Sequence, residues 1–245
     1  MPSWIGQSFR RGIVTTHYPR VPATEDETPL TARAPLPPAG TVPPAAIDAC
    51  PVGAISDRAV DQGRCIRCAR CLAHGFRAAG PVEAAVARRE ELERPGAPRG
   101  AGDEAAAPLR ELGRSLHVFL VDVGSCNACN LEVLALASPY YDSQRLGVFL
   151  TNSPRHADVL LVVGVPTEAM VEPLRRAYDA LPEPKAVIAV GACPISGGAF
   201  RGNPGLRPTL EGIVPVDRFV PGCPPTPIQI LDALLDVLGR ARAGE

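Results

Sequence analysis

The residues in this chain best suited to chemistry are its eight cysteines. They fall into two sets of four: Cys50, Cys65, Cys68 and Cys71, then Cys126, Cys129, Cys193 and Cys223. Each set combines C-x2-C spacing with a remote Cys-Pro step. Thiolate is a soft ligand, and four thiolates at such spacings read as a metal site. Clustered cysteines in a reducing compartment also read as ligands more readily than as disulfides. Four thiolates bind zinc well, so a zinc knuckle is one reading of each set. The run C-x2-C-x2-C at Cys65, Cys68 and Cys71 favours iron–sulfur, because three thiolates must reach three corners of a cube. Both sets are accordingly expected to hold a [4Fe–4S] cluster, which would make the chain a path for electrons.

The first set resembles part of a bacterial two-cluster ferredoxin. Such proteins carry C-x2-C-x2-C-x3-C-P twice, and the fourth cysteine of each copy ligates the other copy's cluster. Here Cys65, Cys68 and Cys71 come from the second copy, and Cys50-Pro51 stands where the first would end. The other cluster would need cysteines at positions now held by Gly40, Pro43, Ala46 and Gly75. One whole ligand set is lost and the other is whole. A degenerate ferredoxin-like α+β domain with a single cluster is expected.

These residues must be positioned by elements, and the chain divides into four regions by composition. Residues 1–45 are rich in proline and read as an extended arm lying on another surface. Residues 46–80 hold the first cysteine set. Residues 81–114 read as a charged helix from Val82 to Glu93, then a Pro/Gly/Ala linker. Residues 115–245 alternate short apolar runs with amphipathic stretches, the pattern of an α/β domain with a parallel sheet. The runs predict strands over His117–Val121, Leu146–Leu150, Val159–Val163 and Ala186–Val190. Helices are predicted over Asn130–Ala137, Thr167–Ala180 and Pro225–Arg240, the last with Leu231, Leu234, Leu235 and Leu238 along one face. Cys126, Cys193 and Cys223 all follow apolar runs or precede helices. Ligands in such sheets gather outside the carboxyl ends of the strands, so the second set is expected to converge there.

Net charge is −1, which offers no electrostatic case for nucleic acid. Met1 to Arg20 lacks the continuous apolar stretch of a secretory signal, and no apolar run is long enough to span a bilayer. No G-x-G-x-x-G or Walker A pattern follows the first strand.

The second half carries four motifs in order: Gly124-Ser125-Cys126-Asn127-Ala128-Cys129-Asn130-Leu131-Glu132, Ser153-Pro154-Arg155-His156-Ala157-Asp158, Gly191-Ala192-Cys193 with Gly197-Gly198, and Gly222-Cys223-Pro224-Pro225. Together they resemble the small subunit of membrane-bound, energy-converting [NiFe] hydrogenases of the formate hydrogenlyase type, over about residues 115 to 240. The cluster-bearing small subunit of respiratory complex I shares the fold but typically has two adjacent cysteines where this chain has C-x2-C. Gly12-Ile13-Val14-Thr15-Thr16-His17-Tyr18-Pro19 is similar to the start of the ferredoxin-like subunit of the same complexes.

The resemblance implies a flavodoxin-like sheet with helices on both faces, fused behind a degenerate ferredoxin-like unit. It implies that Cys126, Cys129, Cys193 and Cys223 hold the cluster proximal to a Ni–Fe centre in a separate large subunit. The N-terminal cluster would then pass electrons to or from an external redox partner. The nickel ligands belong to the large subunit, so this chain alone is not expected to turn over hydrogen. The implied location is cytoplasmic, peripheral on the inner membrane through partner subunits. Glu132 matches an acidic position of the motif: it reads as a proton relay or a large-subunit contact, or as a cap of the following helix. Arg155 and His156 could tune a cluster or a quinone pocket, but Arg155 reads rather as making structural hydrogen bonds at a strand entrance. The alternatives are a complex-I-like quinone-reducing module and a non-redox zinc scaffold.

Overall fold

Val159–Val163 and Ala186–Val190 contain no polar side chain and are buried along their whole length. Only a sheet covered on both faces can use such strands. The computed structural model describes residues 6, 10, 12, 14–24, 26–27, 33–79, 92, 108–113 and 115–240. Apart from Leu92 and Pro108, the expected helix over 82–93 and the linker behind it lie outside the described residues.

Two short strands, β1 (Pro35–Leu36) and β2 (Arg77–Ala78), pair antiparallel and close a small N-terminal unit. Between them lie α1 (Pro44–Asp48) and the loops of the first cysteine set. Val42, Ala46, Ala54, Ile55, Val60 and Phe76 form the core of this unit together with Cys65 and Cys71.

The second half contains β3 (Leu116–Asp122), α2 (Ala128–Ala135), β4 (Val148–Thr151) and β5 (Val159–Val163). It continues with α3 (Glu168–Ala180), β6 (Ala186–Val190), α4 (Ala192–Ser196), β7 (Arg218–Val220) and α5 (Pro227–Asp236). All five strands are parallel, in the order β4-β3-β5-β6-β7. That is the flavodoxin-like order, with its reversal at β3. Alternate residues serve opposite faces. Val118, Leu161, Val163, Ile188 and Val190 pack against α2 and α5. Val121, Leu160, Val162, Val187 and Phe219 pack with Leu174 of α3 and with Leu210 and Val214.

The expected strands and helices are present with ends shifted by a few residues. β7 was not foreseen: three residues between Pro215 and Pro221 are too short to show a period. The final helix stops at Asp236 rather than Arg240, and Arg240 instead donates from Nη1 to the Leu146 carbonyl at 2.7 Å. Nor does that helix expose an outer face, since Pro227 through Leu235 are all buried. Its other side is covered by the arm and by Leu109, which join the same core through Tyr18 and Ala23. The Tyr18 hydroxyl donates to the Asp232 carboxylate of α5.

Candidate metal centres

The carboxyl ends of β3, β6 and β7 lead directly into Cys126, Cys193 and Cys223, and Cys129 sits in the first turn of α2. The four cysteines share the carboxyl-end rim of the sheet. Asp122, the last residue of β3, shapes the first of these loops. Its carboxylate accepts from the amides of Gly124 and Ser125 at 2.9 and 2.8 Å. It also accepts from the Ser125 hydroxyl at 2.6 Å and the Asn130 side-chain amide at 2.7 Å. Those bonds hold its own pKa below the ordinary value, outweighing the upward effect of burial. Further backbone bonds tie the other loops together. The Gly191 and Ala192 amides donate to the carbonyls of Val220 and Gly222 at 2.9 and 2.7 Å.

Close approach to the sulfurs depends on missing side chains. Gly191 has φ 93°, and a Cβ there would lie 2.7 Å from Cys129 Sγ. At Gly198, φ 52°, a Cβ would lie 3.2 Å from Cys193 Sγ. Only glycine fits such a backbone without strain.

The thiols sense one another. Burial, then the charges of Cys193, Cys223, Cys126 and Glu132, pushes Cys129 up to about 12. Burial and then Cys223 and Cys126 push Cys193 up to about 11, and burial and then Cys126 raise Cys223. Four thiolates crowded together repel, so a ligand that displaces their protons must bring positive charge. This donor set fits an iron–sulfur cluster.

Glu132 lies in the second turn of α2, beyond the free amides of the first, so the placement does not favour a helix cap. Its carboxyl is half-buried and raised by desolvation. Leu131 and Leu134 on the same helix are 59% and 55% exposed. Arg155 and His156 sit in a single turn before β5, toward the amino end of the strand and away from the cysteine rim.

The first cysteine set lines one pocket with Val52, Ala54, Ile55 and Leu72. Ala54 N–H donates to Cys50 Sγ at 3.2 Å and Arg67 N–H to Cys65 Sγ at 3.3 Å. Arg67 and Ala69 adopt left-handed backbone, with φ 54° and 62°, which turns the chain between successive cysteines. Burial, opposed by Arg67, raises Cys65 to about 11, with Cys71 and Cys50 adding to the rise. Burial also raises Cys71, with Cys68 and Cys50 contributing. Here too the donor set fits a cluster. Among the described residues, no three His, Cys, Asp or Glu side chains group as a single metal ion would require.

The N-terminal unit docks at the same rim. Ser196 Oγ donates to the Gly63 carbonyl at 2.9 Å, and a Cβ on Gly63 would meet Ile195 Cγ2 at 2.7 Å. Cysteine spacing alone missed both Asp122 and Arg67. An Asp-Val-Gly-Ser run after a strand is a turn signal that would have found the first. A single arginine inside Cys65-Ile66-Arg67-Cys68 carries no such signal.

Residues 126–237 match the family described as NADH ubiquinone oxidoreductase, 20 kDa subunit. A probable membrane-bound hydrogenase subunit, mbhJ of Pyrococcus furiosus, is 47% identical over 137 residues, covering 55% of this chain and 82% of that protein. Formate hydrogenlyase subunit 7 of Escherichia coli is 44% identical over 134 residues, covering 55% of this chain and 52% of that protein. NAD(P)H-quinone oxidoreductase subunit K 2 of a Cyanothece species is 44% identical over 107 residues, 43% of this chain and 41% of that protein. Among the described residues, no helix is long and apolar enough to cross a membrane.

Proposed function

The chain belongs to the NADH ubiquinone oxidoreductase 20 kDa subunit family, a family of oxidoreductase subunits, and from that premise we propose that it is the electron-transfer subunit of a multi-subunit [NiFe] hydrogenase. On this reading Cys126, Cys129, Cys193 and Cys223 hold one [4Fe–4S] cluster, and Cys50, Cys65, Cys68 and Cys71 hold a second. The supporting observation is the meeting of Cys126, Cys129, Cys193 and Cys223 at one rim, with Gly191 leaving room beside Cys129. When bound, such a cluster stores and releases single electrons at a potential set by its surroundings.

The chain's own part is positioning. Asp122 fixes the Cys126 loop, and the Gly191 and Ala192 amides fix Cys193 against Cys223. Apolar side chains around the first set bury Cys65 and Cys71 while Cys68 stays exposed, and the amides of Ala54 and Arg67 stabilise negative charge on Cys50 and Cys65. Glu132, its carboxyl raised by burial, is the proposed proton relay beside Cys129, on the helix whose outer face exposes Leu131 and Leu134. That face would receive the large subunit, whose Ni–Fe centre exchanges electrons with the nearer cluster. The second cluster serves an external redox partner, and membrane subunits hold the assembly on the cytoplasmic face. The C-x2-C spacing and the longer match to mbhJ favour this over a quinone-reducing module.

Iron and acid-labile sulfide analysis of anaerobically prepared protein tests the reading. About eight of each per chain are expected, four per cluster. Cys193→Ser should lose about half the iron while keeping the N-terminal EPR signal. Stoichiometric zinc without visible absorption would defeat the proposal, and a Cys193→Ser protein with both signals would defeat the ligand assignment.

A further inference from the structure

Arg67 stands between the two cysteine sites. It lies inside the Cys65–Cys68 step, yet its side chain reaches the other half of the molecule. The residue is only 4% exposed. Nη2 donates to the Pro221 carbonyl at 2.6 Å, two residues before Cys223. Nη1 donates to Gln229 Oε1 at 3.4 Å. That same oxygen accepts the Thr226 amide at 3.1 Å, three residues after Cys223. One guanidinium thereby grips both flanks of the Cys223 loop. The backbone amide of the same residue bonds Cys65 Sγ at 3.3 Å, and Cys65 and Arg67 each feel the other's charge.

The charge itself is the second part of the observation. A cation withdrawn from water acts on neighbouring charge far more strongly than an exposed one. Uptake of one electron at either set of thiolates adds one negative charge there and makes or breaks no bond. A buried guanidinium whose charge is felt at Cys65 favours that added charge at the first set. Lysine would carry the charge, but it lacks the planar fork that spans Pro221 and Gln229.

We propose that Arg67 is a positioning residue shared by the two centres: it clamps the Cys223 loop against the first cysteine set, and its buried charge raises the reduction potential of that first set. This rests on the two-cluster reading above. One side chain would thus tune one part of an electron path and hold the loop of the other in place.

The test is a redox titration followed by EPR on the full chain, reconstituted anaerobically, with iron and sulfide measured first. Arg67→Gln, which removes the charge, should move the N-terminal midpoint to lower potential. Arg67→Lys should leave both midpoints near the parent's but lose C-terminal iron to a chelator several-fold faster. An Arg67→Gln protein with full iron and the N-terminal midpoint unmoved would overturn the proposal. Should Arg67→Gln not retain the N-terminal centre, Arg67→Lys decides: a preserved N-terminal midpoint supports the role of the charge, and a fall in that midpoint rejects it. An unsubstituted chain without iron would remove the underlying reading, an outcome distinct from any of these.

Discussion

Gly191 occupies a left-handed backbone position with Cys129 Sγ directly above it. Gly191→Ala would add a methyl group where 2.7 Å separates the Cβ position from sulfur. Overpacking of this kind costs about 1–3 kcal/mol, and the positive φ adds about 1 more. The expected outcome is loss of C-terminal iron with the N-terminal EPR signal intact, read from the iron-to-protein ratio. The cysteines themselves were legible because their spacing carries the chemistry: Cys65, Cys68 and Cys71 declare three corners of a cube before any fold is known. Asp122 and Arg67 were not. Asp122 matters through a loop it organises. Arg67 matters through a docking partner more than 150 positions away, and no local pattern encodes that.

Among the elements, the arm is the one whose hold on the molecule depends on titration. Thr16 and Tyr140 hydroxyls donate to Glu27 Oε1 at 2.6 and 3.0 Å, and the Thr24 amide donates to Oε2 at 2.7 Å. Burial alone would raise the Glu27 carboxyl, but these bonds and a further one from the Thr24 hydroxyl hold it below its ordinary value of 4.5. A carboxylate with a lowered folded pKa contributes stability that is complete above the unfolded value and is lost as pH falls through the folded one. The Thr16 amide, which donates to the Tyr140 carbonyl at 2.8 Å, reports this attachment. Its hydrogen-exchange protection, corrected for intrinsic rate, should drop as pH passes below 4.5. Glu27→Gln should start from weaker protection and show no such step. Strands β5 and β6 matched their expected ends because unbroken apolar runs bounded by turns leave no other choice. The burial of α5 on every side escaped notice because the covering arm comes from the far end of the chain and carries few large apolar groups.

At the level of the whole molecule, all eight cysteines fall within the two sets, and on the proposed reading none remains to bind nickel. The purified chain should therefore show no H2-dependent dye reduction, and adding a nickel-binding large subunit should produce it. Robust activity from the chain alone would contradict this division of labour. The α/β architecture was visible in the alternation of apolar runs and amphipathic stretches. The docking of the small unit on the sheet rim was not, since Gly63 against Ile195 and Arg67 against Pro221 are contacts between segments with no shared pattern. A further long-range contact bears on biosynthesis. Tyr18 meets Asp232 across 214 positions, and the Leu109 amide meets Val237 at 2.9 Å. Ribosomes release the amino end first. The tyrosine therefore leaves the exit tunnel long before its carboxylate partner is translated. A nascent chain interrupted before the last helix would leave its arm without that partner, a ready target for proteases.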